Sequence, residues 1–144
     1  MSFIRSLFTK LLHKRTKAID DSPVVEVRTE ASAAAVEERN RPTIDRVKTM
    51  AIPDALFEIA EHNRWLPMPE RISPVEVFRD LSPETVNQWS STANSLLHSH
   101  NLYLAFYEDR SDLKEICSAV IAKHPGFSDT TYSRALMHAQ IAAR

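Results

Sequence analysis

The chain has 144 residues, 43% hydrophobic and 26% charged, with a formal net charge of −1; this is globular composition without the cationic field that gathers nucleic acid. Its single glycine, Gly126, excludes the dinucleotide fingerprint, the phosphate-binding P-loop and the nucleophile elbow, because each needs at least two glycines for close backbone approach. Its single cysteine, Cys117, excludes an intramolecular disulfide and a C-x-x-C metal knuckle, and a reducing compartment fits.

Residues 1–17 predict a basic amphipathic helix. Phe3, Ile4, Leu7, Phe8, Leu11 and Leu12 recur in pairs every four residues and share one stripe. Arg5, Lys10, Lys14, Arg15 and Lys17 accompany them, and no acid precedes Asp20. Phe and Leu opposite Lys and Arg is the composition of a helix lying in a membrane interface. There each cation near an anionic leaflet contributes on the order of 1 kcal/mol. Two other readings share the pattern. The stripe could cover a core or a protein partner, or the segment could be an organellar presequence, with Ser2, Ser6, Thr9 and Thr16 as its hydroxyl residues. No run approaches the roughly 18 apolar residues of a membrane-spanning helix. Arg5, Thr9 and Lys10 also interrupt the apolar centre that a secretory signal requires.

Residues 18–42 read as a flexible acidic, alanine-rich linker. Without aromatic residues, and with only Val24, Val25 and Val27 as an apolar cluster, the stretch buries too little to offset ordering entropy. Residues 31–39, ASAAAVEER, carry good helix formers within it.

Residues 43–144 predict an all-α domain of about five helices. A first firm helix covers about 53–62, with Pro53 tolerated in its opening turn. Pro67, Pro69 and Pro74 then enforce extended backbone around Trp65, which is expected as a lid over the core. Ser73-Pro74 with Glu76, and Ser82-Pro83, are helix starts. The helix from Pro83 is expected to run on through NLYLAFY, since no second strand offers that stretch a partner. Asp112 with Glu115 forms a capping box for a helix bearing Leu113, Ile116, Cys117, Val120 and Ile121. Pro125 and Gly126 end it, and Ser128 or Asp129 starts the last helix.

Candidate chemistry is sparse. His98 and His100 point to opposite sides of a helix, and neither H-E-x-x-H nor E-x-x-H occurs, so no metal or cofactor is expected. Glu58 and Glu61 cluster with His62 on the first firm helix, Glu58 and His62 one turn apart, as are Arg134 and His138; each group is either a helix-stabilising contact or a fragment of an acid–base site. Cys117, on an apolar stripe, is expected as a buried unreactive thiol. The two helices around HPGF have a helix–turn–helix outline, but few cations to read DNA in a domain of negative charge.

The leading expectation is a non-enzymatic interaction, regulatory or adaptor protein, cytoplasmic and docked by its N-terminal helix to an anionic membrane surface or a protein partner. The apolar stripe would insert and the five cations would meet headgroups. The alternatives are a small all-α enzyme of nuclease or toxin type and a helix–turn–helix-like nucleic-acid regulator, with an organellar location if the N-terminus is a presequence.

Overall fold

The computed structural model describes residues 24–144, with side chains from Ser32 onward. The expected N-terminal helix and residues 18–23 of the expected linker lie outside the described residues. The chain divides into two compact units between Glu37 and Glu38. In the first, residues 24–37 are helical, in keeping with their alanine and glutamate content.

Helix α1, Val24–Val47, continues across that boundary with Pro42 inside it. The sequence predicts a domain start at residue 43. In the structure residues 38–47 are helical, and Asn40, Thr43 and Val47 are buried. Tertiary hydrogen bonds account for this: the Asn40 amide nitrogen donates to Glu70 O at 3.0 Å, and Asn40 and Thr43 both meet His62.

The second unit is all-helical and, among the described residues, has no strand. Helix α2, Ile52–Asn63, opens on Pro53 and buries Ala55 through Ala60. A 3₁₀ turn at Met68–Glu70 and a single turn α3, Pro74–Val77, lead to α4, Pro83–Leu97. Then follow α5, His100–Tyr107, α6, Leu113–Lys123, and α7, Asp129–Ala142. Helix α2 packs chiefly on α4, while α5 packs on both α6 and α7. The core contains Leu56, Phe57 and Ile59 from α2, Val86, Ala93 and Leu96 from α4, Leu102 from α5 and Ala135 from α7. Full burial of a side chain such as Phe57 or Leu56 contributes roughly 1.5–3 kcal/mol.

Four local expectations are revised. The run from Pro83 to Tyr107 is two helices, because Ser99 Oγ accepts from Leu102 N and restarts the chain as α5. The domain accordingly has more helical segments than the five expected. Ser73 makes no side-chain cap, and Asp112 makes none either. Both Asp112 oxygens accept instead from Arg110, at 3.0 and 2.9 Å. Trp65 is no lid; it is 82% exposed.

Other starts and stops stand as read. Ser82 and Ser128 accept from Thr85 N and Thr131 N. Gly126 has φ +101°, and a Cβ there would lie 2.8 Å from Trp89 Cη2. The next residue, Phe127, meets Phe57, Trp89 and Tyr132 edge-on, with centroids 5.9 to 6.3 Å apart. This turn must therefore lie flat against Trp89 to deliver Phe127 into the core.

Candidate functional site: a charged cluster between two helices

Helix α2 carries Glu58 and Glu61 three residues apart, and α7 carries Arg134 and His138 four apart, so each helix presents its pair on one face. The Ser128 amide and hydroxyl both donate to Asp54 Oδ1, at 2.9 and 3.1 Å, which ties the start of α7 to the start of α2. The two pairs then interlock. Arg134 Nη1 donates to Glu58 Oε2 at 2.6 Å, and its Nη2 pairs with Glu61 Oε2. The guanidinium also lies 5.8 Å from the centre of the Phe57 ring. Glu58 Oε1 accepts from Arg46 Nε of α1 at 2.8 Å.

His138 closes the cluster. Its Nε2 meets Glu61 Oε1, and Arg64 Nη1 lies 3.0 Å from its Nδ1. A guanidinium only donates, so Nδ1 accepts, and the ring proton on Nε2 is donated to Glu61. The imidazole is therefore held neutral. Burial, then the charges of Arg64 and Arg134, push its pKa below the ordinary histidine value. Burial would raise the Glu58 carboxyl, but hydrogen bonds from Arg134 and Arg46, together with their charges, hold it below the usual glutamate value. The Glu58 side chain is only 8% exposed, so it needs these cations to stay ionised.

His62 does not complete the pair that its spacing to Glu58 suggested. The Asn40 amide donates to Glu70 O, so its Oδ1 is turned to His62 and accepts from Nε2 at 2.8 Å. His62 Nδ1 then accepts from the Thr43 hydroxyl at 3.3 Å. Burial first, then the Arg39 charge, lower its pKa, with Glu58 opposing and Arg46 adding to the fall. This second neutral histidine fastens α1 to α2.

His124 is buried, with Nδ1 donating to Val120 O at 2.8 Å and Nε2 meeting Ser95 Oγ at 3.0 Å. Cys117 is partly buried on the core, and burial pushes its thiol up. Arg134 and His138, the polar tips a DNA-reading helix would present, are engaged with α2 instead. Among the described residues no group of three His, Cys, Asp or Glu could hold a metal ion, and no helix is long and apolar enough to cross a membrane. The expected binding residues Phe3, Ile4, Leu7, Phe8, Leu11 and Leu12, with Arg5, Lys10, Lys14, Arg15 and Lys17, lie outside the described residues.

Chemically, the cluster contains one carboxylate–imidazole couple, Glu61 with His138, within proton-transfer reach. Its basic nitrogen is covered by Arg64. The sequence marks Glu58, Glu61, Arg134 and His138 but not their partnership, and it marks neither Arg46 nor Arg64. The complementary spacings on α2 and α7 were the available signal; no local signal marked Arg46, Arg64, Asn40 or Thr43.

Among the described residues, the fold and cluster are those of an all-α domain with a charged helix–helix clasp. No protein-family model, curated protein or solved structure matches the chain.

Proposed function

We propose that this chain is a non-enzymatic interaction protein of regulatory or adaptor type. Its residues 1–17 dock on an anionic membrane surface, or on a protein partner, and its helical domain supplies a second contact. The N-terminal pattern supports the first contact: six apolar residues insert and five cations meet headgroups.

The second contact rests on Trp65. Its ring is 82% exposed and lies under Arg64, whose guanidinium carbon is 4.8 Å from the ring centre. Arg64 is itself held at His138 on α7, the helix that also carries exposed Met137 and Ile141. Trp, Arg and Met are the residues enriched where protein interfaces form. The location follows the anchor: peripheral on a cytoplasmic membrane surface, or organellar if the segment is a presequence.

Co-sedimentation with anionic and neutral liposomes tests the anchor. The full chain is expected to pellet with anionic vesicles, and a chain starting at Ala18 to remain in the supernatant. Equal binding by both forms, or unchanged binding by Leu7→Asp, would count against it.

The Glu61–His138 couple favours a second reading, a small all-α nuclease. That reading expects cleavage of single-stranded RNA by the intact chain and its loss in both Glu61→Gln and His138→Gln. Cleavage that persists in both variants would reject it.

A further inference from the structure

A cleft of about 410 Å³ lies between α2, the 68–74 segment and α4. Its volume falls in the range of small-molecule sites, roughly 300–1,000 Å³. Buried Leu56, Ile59, Ala60 and Ile72 contribute its apolar lining. The Asn63 side chain braces the segment opposite α4 by exchanging two 2.8 Å hydrogen bonds with the Ile72 backbone. Pro74 stiffens that segment further.

Two polar groups at the cleft can serve a ligand acceptor, Arg71 and Ser90. Arg71 is the only charged residue lining it, and no acid lines it. Arg71 Nε donates to Leu66 O at 2.7 Å and Nη1 to Met68 Sδ at 3.2 Å, which holds the side chain in place. Across the cleft, on α4, Ser90 has the only buried side-chain nitrogen or oxygen among the described residues that lacks a hydrogen-bond partner. Thr92 and Ser118 satisfy their hydroxyls on the carbonyl four residues back. Ser90 does not, and a buried hydroxyl without a partner costs on the order of 1–3 kcal/mol. Rotation about χ1 between staggered positions is the small adjustment needed to offer it to a ligand acceptor.

We infer that this cleft binds a small apolar carboxylate, its tail on the Leu56–Ile59–Ile72 floor and its anionic end paired with Arg71, with Ser90 as a further donor. An apolar floor requires the tail, and one cation with no acid in the lining selects an anion over a neutral or cationic head, Glu70 being paired with Arg39. The site is independent of the N-terminal anchor and of the Glu61–His138 couple.

The test is a titration of the full isotope-labelled chain with sodium octanoate, followed by amide chemical shifts, with 1-octanol in parallel. Saturable shifts centred on Leu56, Ile59, Ala60, Ile72 and Ser90 are expected, with a dissociation constant on the order of 1 mM for a ligand of about ten heavy atoms. Asn87→Trp, at an exposed position lining the cleft, fills the site and abolishes the shifts. Arg71→Gln weakens octanoate about tenfold, the loss of one charge-assisted hydrogen bond, and leaves octanol unchanged. Linear unsaturated shifts, shifts confined to residues 1–19, or undiminished binding by Asn87→Trp would overturn the assignment. Equal affinity for octanoate and octanol would overturn the role of Arg71.

Discussion

His138 is locked in one tautomer by a donor on one side and an acceptor on the other, and this makes the clasp sensitive to acid. Its folded pKa and that of His62 lie below the ordinary 6.5. Their stabilisation is therefore complete above pH 6.5 and is lost as pH falls through the lowered values. Glu58, also lowered, adds a loss only below its ordinary 4.5. Urea midpoints should fall in two stages on acidification. His138→Gln, which can donate to Glu61 and accept from Arg64 without protonating, should make the first stage shallower and leave the part due to His62; an unchanged pH profile would show that His138 does not contribute to it. Arg134→Met keeps the stem beside Phe57 but leaves buried Glu58 with Arg46 alone. It should cost about 2–3 kcal/mol in urea denaturation, below the full cost of unpairing a buried ion. Gly126→Ala combines positive φ with a 2.8 Å contact to Trp89, and should cost on the order of 2 kcal/mol or more by thermal unfolding.

The division between α4 and α5 depends on one hydroxyl at the level of elements. Ser99 caps Leu102 N, while the His98 backbone leaves helical geometry at φ −108°, ψ 32°. Ser99→Ala should lower stability by about 1 kcal/mol, the usual worth of such a cap. Hydrogen exchange should then quicken first at the start of α5; acceleration spread evenly over all helices would instead indicate a global effect. Helices α2 and α7 are joined at both ends of their contact, by Asp54 with Ser128 and by Arg64 with His138. Their charged faces cannot slide by one turn without leaving Glu61 unpaired and buried Glu58 with Arg46 alone, so the clasp specifies register as well as adding stability.

The core of the second unit is built from residues 47–139, and its clasp from residues 46–138. A chain of residues 38–144 should therefore unfold cooperatively by itself, with a thermal midpoint within a few degrees of the full chain, since a change of about 1 kcal/mol moves a domain of this size by roughly 4–8 °C. A non-cooperative transition in that fragment would show that residues before Glu38 complete the core. The same fragment should fail to pellet with anionic vesicles if residues 1–17 are the anchor.

Helix class, most helix starts and the Gly126 turn were legible in the sequence because they follow from near neighbours: apolar spacing, Ser-Pro starts and one permissive residue. Spacing also placed Glu58, Glu61, Arg134 and His138 on helix faces. It could not pair them, because Glu58 and Arg134 are 76 residues apart and their meeting depends on how α2 and α7 pack. The same limit explains Trp65. Flanking prolines described its backbone, but whether its ring covers a core or faces water depends on what lies across from it. The sequence by itself determined that residues 43–144 form an all-helical domain, because apolar spacing and helix starts are local properties. Tertiary packing alone decided that the charged residues of α2 and α7 form one clasp, that Asn40 belongs to the domain, and that Ser90 and Arg71 line one cleft, because burial and ion pairing are properties of surfaces brought together from distant parts of the chain.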